Sequence, residues 1–357
     1  MSKTLVYCND YNTTKNSSLV RSKKGSLFPG FGWLYLLKQR YKLAVISSDV
    51  ALKKIDQKEL NPADCFLIDE SGSRDSKLLI QLGCVPFVQT CLESKLYAYK
   101  FYDNFSNIYH KNYLFGGDFG TNTLFYPSFF EEDILKLTFQ KKYNKVAYIS
   151  SNNNFFSQLS IICFLKFHKF LKFYFMYLLS GNFRVAVKNC LYNYKLSLIF
   201  FLAKKNLIHL YGKNWDNFFQ YPRISFFHYI AVKRNYRGIA GNKINLISKY
   251  KFTLCIENTS ISGYVTEKII DCLVAGTVPV YRGCPDIHNY FNSDTFIDTN
   301  KFNSHSSLVD YLSEIDEKAY NAYLVAGRKW LKSDGLKFSH NYMAKNIFIQ
   351  FKKFAHE

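Results

Sequence analysis

The chain has 357 residues, of which 48% are hydrophobic and 18% aromatic; it is long enough for two domains with large cores, and this composition excludes a disordered or fibrous protein. The formal net charge is +20. Nine cysteines, an odd number without a Cys-x-x-Cys pair, argue against a zinc site or a complete disulfide framework, and the first ten residues do not read as a signal peptide. These features favour a reduced, cytoplasmic compartment.

Short apolar strands alternate with helices in the first 130 residues, which predicts an open parallel α/β sheet. The predicted strands are 4–7, 43–46, 65–68 and 86–89, and the predicted helices are 27–40 and 76–82. A polar stretch near 131–144 is the predicted domain boundary.

The second half repeats this alternation. The predicted strands are 145–150, 207–211, 251–257, 277–281 and 295–298, and the predicted helices are 157–179, 185–205, 267–273 and most of 307–355. We therefore expect two tandem Rossmann-like domains, 1–135 and 140–335, with a cleft between them, followed by a C-terminal helix at 336–357.

The excess positive charge is concentrated in one block. Residues 134–256 contain 20 Lys and Arg but a single acid, Asp216. Anionic lipid, nucleic acid or a purely solvated surface would each account for it. Within the block, 161–179 has lysines along one side of an aromatic helix, which fits either a buried helix with a charged rim or a helix lying on a membrane surface.

Several catalytic signatures are absent from the sequence. It contains no GxxxxGK[ST], HExxH, GxSxG or Asp-x-Asp motif. A pyrophosphate carried by a metal ion is therefore not indicated, and protein cations and backbone amides must take the charge of any leaving diphosphate.

The strongest signal lies at 250–285, YKFTLCIENTSISGYVTEKIIDCLVAGTVPVYRGCP, which predicts strand, loop, helix, turn and strand. Glu257 and Asn258 end the first strand. Thr266 can cap the helix, whose N-terminus favours an anion, and Lys268 adds a full positive charge. Singly, each residue could be an ordinary cap, turn or surface charge; together they predict a site for a nucleotide diphosphate.

This stretch resembles the donor-binding signature of glycosyltransferase family 10, the α-1,3/1,4-fucosyltransferases. The matching residues are Tyr250-Lys251-Phe252, Glu257-Asn258, Tyr264, Thr266-Glu267-Lys268, Gly276, Val278-Pro279-Val280-Tyr281, Gly283 and Pro285. The resemblance implies a GT-B fold, GDP-fucose as donor and inversion at the anomeric carbon. It also implies that Asn258, Tyr264 and Thr266 bind the donor and that Glu267 meets the fucose.

Weaker likeness extends upstream. LYNYK at 191–195 resembles the helix that carries an Arg for the donor pyrophosphate; Lys195 stands in that place here, unless Arg184 takes the role in another register, and Lys243 is a further candidate cation. Cys91-Leu92-Glu93-Ser94 resembles the Glu-Ser-Pro motif of the proposed catalytic base, with Lys95 in place of the proline.

The resemblance implies one displacement. Glu93 takes the proton of the acceptor hydroxyl, the oxygen attacks C1 of fucose, and Lys268 with Lys195 or Arg184 offsets the charge on departing GDP. No metal is required, and a divalent ion is expected at most to stimulate. The expected partners are GDP-fucose, a glycan acceptor that can be lipid-linked, and an anionic membrane surface, but not nucleic acid.

The expected linkage is α-1,3 to GlcNAc or Glc in a lipopolysaccharide-type or N-acetyllactosamine-like glycan, made in the cytoplasm or on the inner face of the plasma membrane. Three alternatives stay open: another GDP-sugar as donor, an inactive family member, and a basic nucleic-acid-binding module.

Overall fold

The computed structural model describes residues 3–10, 15–17, 31–93, 95, 98–105, 107–114, 122–123, 125–136, 142–151, 174–216 and 226–356. Two compact units are present. The first contains Met1–Leu135, Gly263–Glu267 and Gly335–Glu357, and the second contains Lys136–Ser262 and Lys268–Asp334.

The first unit is built on a parallel sheet with the strand order β2-β1-β3-β4-β5-β6. Its strands are β1 (Thr4–Cys8), β2 (Ala44–Ser47), β3 (Cys65–Glu70), β4 (Val85–Thr90), β5 (Lys111–Leu114) and β6 (Asn122–Thr123). Its helices are α1 (Gly32–Gln39), α2 (Ser48–Asp56), α3 (Arg74–Gln81), α4 (Tyr99–Asp103) and, from the C-terminus, α13 (His340–His356).

Both faces of this sheet are buried, which explains why its central strands are apolar almost throughout. Alternate residues point to opposite faces: Phe66 and Ile68 pack in one core, while Cys65 and Leu67 pack in the other. The first core also takes in α13, whose Phe351 lies edge-on to the ring of Phe66, with 5.2 Å between ring centroids. The end of the chain therefore completes the core of the first unit.

The second unit contains a five-stranded parallel sheet with the order β8-β7-β9-β10-β11. Its strands are β7 (Tyr143–Ile149), β8 (Ile208–Tyr211), β9 (Tyr250–Ile256), β10 (Val278–Arg282) and β11 (Ile297–Asp298). Its helices are α5 (174–179), α6 (Gly181–Lys188), α7 (Tyr192–Lys204), α8 (Phe226–Asn235), α9 (Lys243–Ile247), α10 (Glu267–Ala275), α11 (His305–Glu314) and α12 (Glu317–Leu331).

The two sheets begin with the same strand order. When the strands of each unit are numbered along the chain, the first sheet reads 2-1-3-4-5-6 and the second reads 2-1-3-4-5, and 2-1-3-4-5 is an order of doubly wound folds. In such a sheet the connections reverse direction between the first and third strands, here β1 and β3, and β7 and β9. Ligands bind at the carboxyl ends of strands near that point.

The prediction of one helix over 185–205 was wrong. α6 and α7 are separate, because the backbone of the intervening residues bonds to the loop after β9 instead of continuing the helix. Asn189 O accepts a hydrogen bond from Ser260 N–H at 2.8 Å, and Leu191 N–H donates to Asn258 O at 3.1 Å. Most of the predicted helix 157–179 and the start of the predicted helix 27–40 lie outside the described residues.

Candidate functional site: a lysine-lined pocket at the ends of β7 and β9

Glu257 and Asn258 directly follow β9, at the centre of the second sheet. Glu257 is fully buried, and its backbone N–H donates to Arg282 O on the neighbouring strand β10 at 2.9 Å. Its carboxylate pairs with Lys268, in the first turn of α10, with 2.9 Å between Glu257 Oε2 and Lys268 Nζ. Because a buried carboxylate needs a charged or hydrogen-bonding partner, this pair fixes the Lys268 ammonium beside the end of β9.

Gly283 is required by the close approach of the chain to this ion pair. A Cβ atom at this position would lie 2.5 Å from Glu257 Cγ and 2.6 Å from the Tyr281 hydroxyl oxygen. Tyr281 is fixed too: burial raises its pKa, and its hydroxyl accepts a hydrogen bond from Cys284 N–H at 3.0 Å. The G-x-P sequence after β10 thus leaves room for the carboxylate that holds Lys268.

Lys243 supplies a second cation from the start of α9. Its ammonium lies 2.7 Å from Asp271 Oδ2, and the Asp271 side chain is 9% exposed. Asp271 lies on α10 one turn after Lys268. The side chain of Asn242 caps α9 by accepting a hydrogen bond from Asn245 N–H at 2.9 Å. Two carboxylates thus position two lysines on the same side of the unit.

Lys195 supplies a third cation from the first turn of α7, where it is 7% exposed. The backbone bonds that separate α6 from α7 hold this end of α7 against the loop that carries Asn258. An isolated bridge between Cys190 and Thr259 adds to this contact. The break in the predicted helix therefore brings Lys195 to the carboxyl end of β9.

These side chains surround one open pocket. Its lining residues are Tyr148, Ile149, Ser150, Lys195, Lys243, Ile247, Thr253, Leu254, Cys255, Ile256, Asn258, Lys268 and Cys272. We call it the lysine pocket. It lies at the carboxyl ends of β7 and β9, where the strand order reverses, and three ammonium groups with one amide suit the binding of a diphosphate.

Arg184 is not among the residues that line the lysine pocket. It lies exposed on α6, whereas Lys195, the other predicted partner of a pyrophosphate, lines the pocket. The structure therefore brings together four of the predicted donor residues, Lys195, Lys243, Asn258 and Lys268.

The segment Gly263–Glu267 packs with the first unit. Gly263 has a φ of +71°, in the left-handed region that favours glycine, and Tyr264 and Thr266 are buried. Tyr264 is electrostatically coupled to Tyr102 on α4 and raises its pKa further above the level that burial gives it. Tyr264, Thr266 and the half-buried Glu267 are not among the residues that line the lysine pocket.

Glu93 is exposed on the loop that follows β4 in the first unit. Its backbone carbonyl accepts a hydrogen bond from the Tyr102 hydroxyl at 3.4 Å. A neighbouring carboxylate was missed in the sequence. Glu70 ends β3 and is 8% exposed, and burial raises its pKa to about 7. The signal in the sequence that could have identified Glu70 is its position as the last residue of the apolar strand CFLIDE.

Among the described residues, no helix combines the length and apolarity needed to cross a bilayer. Within the same ranges, His, Cys, Asp and Glu side chains form no group of three that could hold a metal ion.

Residues 202–348 match the family model described as glycosyltransferase family 10 (fucosyltransferase) C-term. This match includes most of the lysine pocket, among it Lys243, Asn258 and Lys268.

Curated relatives match about a third of the chain or less. An α-(1,3)-fucosyltransferase of Helicobacter pylori is 42% identical over 83 residues, which are 23% of this chain and 17% of that protein. The 4-galactosyl-N-acetylglucosaminide 3-α-L-fucosyltransferase 9 of Mus musculus is 37% identical over 135 residues, 34% of this chain and 37% of the relative. The chain thus spans well under half the length of these relatives.

Solved structures resemble nearly the whole chain. The crystal structure of an α1,3-fucosyltransferase matches with a TM-score of 0.54 and 15% identity, over 100% of this chain and 90% of that one. At this identity the likeness concerns the fold, which is GT-B-like, as the sequence predicted.

Proposed function

We propose that the protein is an inverting fucosyltransferase that moves L-fucose from GDP-fucose to a hydroxyl of a glycan, because residues 202–348 match the C-terminal model of glycosyltransferase family 10. The observation that carries the proposal is the lysine pocket, in which Lys195, Lys243 and Lys268 converge with Asn258 at the reversal point of a Rossmann-like sheet. Such a site suits a nucleotide diphosphate.

On the donor side, the pocket supplies what the leaving group needs. Departing GDP gains negative charge, and fixed ammonium groups stabilise that charge more in the transition state than in the bound donor. Glu257 holds Lys268, and Asp271 holds Lys243, so little reorganisation is needed when the bond to fucose breaks. These cations would take the role that a metal ion fills in other transferases.

On the acceptor side, Glu93 is the proposed general base. It would remove the proton of the acceptor hydroxyl while the oxygen attacks C1 of fucose from the face opposite to GDP, which inverts the anomeric centre. Glu267 would meet the charge that builds on the sugar ring. We propose GlcNAc or Glc as the accepting residue, linked α-1,3, in an N-acetyllactosamine-like or lipopolysaccharide-type glycan.

Incubation of the purified protein with GDP-fucose and N-acetyllactosamine tests this proposal. We expect an acceptor heavier by one deoxyhexose, an α-anomeric signal in NMR, and an unchanged initial rate in excess EDTA. A product formed only with another GDP-sugar would favour a different donor. A folded protein that forms no product with any GDP-sugar would favour the inactive alternative.

We also propose that the protein docks on an anionic membrane from the cytoplasmic side, on the inner face of the plasma membrane. The apolar side chains of α5 and α6 are unusually exposed: Phe175 is 55%, Leu179 82% and Val185 50% exposed. Arg184 and Lys188 are exposed beside them, within a block of sequence that carries almost the whole net charge. Exposed apolar side chains close in sequence to exposed basic ones are typical of helices that lie on anionic lipid.

Sedimentation with liposomes tests the docking. Wild-type protein should sediment with phosphatidylglycerol vesicles at low salt and much less with phosphatidylcholine vesicles. F175S/L179S should weaken sedimentation, whereas Val325→Ser, at a 63% exposed site on α12, should not. Absence of sedimentation at low salt would refute the docking, and salt-sensitive binding to DNA instead would favour the nucleic-acid alternative.

A further inference from the structure

The loop that presents Glu93 is tied to a buried carboxylate on the neighbouring strand. Glu70 Oε1 accepts a hydrogen bond from Leu92 N–H at 2.9 Å and another from the Ser71 hydroxyl at 3.0 Å. Its other oxygen, Oε2, accepts from the Thr90 hydroxyl. Leu92, the residue directly before Glu93, is thus bonded through its backbone N–H to a side chain at the end of β3.

A second set of bonds holds the other side of Glu93. Its backbone carbonyl accepts from the Tyr102 hydroxyl at 3.4 Å and from Cys91 Sγ at 3.6 Å. Cys91 Sγ in turn accepts from the Ser71 hydroxyl at 3.3 Å. Because the Leu92 N–H and the Glu93 carbonyl are both bonded to buried side chains, the backbone of these two residues is held although the Glu93 side chain is exposed.

Glu70 has an unusual electrostatic setting. Burial raises its pKa to about 7, even though the hydrogen bonds from Leu92, Thr90 and Ser71 oppose the rise. The titratable groups that face it are Asp69 on its own strand, Cys91 on the loop and Tyr102 on α4, and all three become negative when they ionise. Loss of a proton from any of them would disfavour the carboxylate further.

We propose that Glu70 is a positioning residue for the transfer: its ionised carboxylate, acting through Leu92, holds the backbone that aims the Glu93 carboxylate at the acceptor. This inference rests on the proposed function, in which Glu93 is the general base. Protonation of Glu70 removes its negative charge, so the hydrogen bond from Leu92 N–H is no longer charge-assisted and weakens, and the hydrogen bond with Thr90 must reverse its direction. The loop then loses part of its support.

Three variants test the inference. Glu70→Ala removes every acceptor that the loop uses. Glu70→Gln keeps an amide oxygen for Leu92 N–H, and its amide N–H can donate to the Thr90 hydroxyl, but it does not titrate. Glu59→Ala is the matched control. Glu59 is an exposed glutamate of the same unit, and its Oε2 lies 3.2 Å from Lys54 Nζ.

We expect Glu70→Ala to lower kcat roughly 10- to 100-fold, as displacement of a catalytic group by about 1 Å does, with KM for GDP-fucose and GDP affinity within about twofold of wild type. Wild-type kcat should fall as pH drops through about 7. Glu70→Gln should have at pH 8 the lowered kcat that wild type reaches only below pH 7, and it should show no acid limb, because Gln makes only a neutral bond to Leu92 at every pH. The control should match wild type.

Unchanged kcat in Glu70→Ala, wild-type kcat of Glu70→Gln at pH 8, or an acid limb retained near pH 7 in Glu70→Gln, would overturn the inference. If Glu70→Ala does not fold, the pH profile of Glu70→Gln decides alone. Failure of the proposed function is a separate outcome, since it would appear as inactivity of the wild type, or as full activity of Glu93→Gln, before any Glu70 variant is compared.

Discussion

The side chain of Lys268 faces a buried carboxylate on one side and the open pocket on the other, with 27% of it exposed. Glu257 needs this ammonium, because an unpaired charge in a fully buried place is strongly destabilising. The same ammonium can meet a phosphate oxygen through its exposed part. Lys268 thus contributes both to the stability of the fold and to the proposed binding of phosphate, and a variant must separate these two effects.

A double variant makes that separation. Lys268→Ala should lose about 1–3 kcal/mol of unfolding free energy and bind GDP about 10- to 100-fold more weakly, because Glu257 loses its partner and the phosphate loses a charged donor. K268A/E257Q should regain stability but not GDP affinity. Thermal unfolding and calorimetry measure the two effects, with exposed Lys329→Ala as the control. Recovery of GDP affinity in the double variant would contradict the role of Lys268 in the pocket.

Gly283→Ala probes the same place through sterics. The added methyl group would lie within 2.9 Å of Glu257 and Tyr281 atoms, both of them buried, so we expect a loss of about 1–3 kcal/mol in unfolding free energy and weaker GDP binding. Gly241→Ala is the matched control, since a Cβ there has no neighbour within 4 Å. Equal behaviour of the two variants in chemical unfolding would show that Gly283 is not sterically constrained.

At the scale of elements, the position at which α7 begins determines which cation lines the lysine pocket. α7 begins after the break at 189–191, and its first turn carries the buried Lys195, whereas α6 carries Arg184 into solvent. The break therefore distinguishes Lys195 from Arg184, the two residues that the sequence analysis gave as alternative partners of the donor pyrophosphate.

Paired alanine variants should show this difference. Lys195→Ala should weaken GDP binding about 10-fold or more, because a charge-assisted hydrogen bond to phosphate contributes roughly 1.5–3 kcal/mol. Arg184→Ala should leave it unchanged. Calorimetric titration of both variants with GDP is the measurement; the reverse ranking would assign the role to Arg184.

The sequence predicted β1 to β4 and all five strands of the second sheet to within a few residues, because buried parallel strands are short apolar runs between turn residues. It missed β5 and β6, which are short and contain polar residues. The turn predicted between α10 and β10 contains Gly276, whose φ of +67° lies in the left-handed region that favours glycine after a helix. The sequence could not predict the break before α7, since that break is caused by backbone bonds to Asn258 and Ser260, far along the chain. Glu70 was missed for the same reason: its partner Leu92 belongs to another strand's loop.

At the scale of the whole molecule, two sheets that share the strand order 2-1-3-4-5, with a sixth strand added in the first, carry different charges at their carboxyl ends. The second unit offers lysines and an amide, which suit a diphosphate. The first offers Glu70 and Glu93, which suit the binding and deprotonation of a sugar hydroxyl. This chemistry supports the proposal that the second unit binds the donor and the first unit binds the acceptor.

Calorimetric titration of the purified protein with GDP, with UDP and CMP as controls, tests the central claim most directly, because it needs no acceptor. The account predicts binding of GDP in preference to both controls, with that binding lost on Lys268→Ala. A preference for UDP would contradict the fucosyltransferase proposal while leaving the fold unaffected, and a folded protein that binds no nucleotide would contradict the donor site itself.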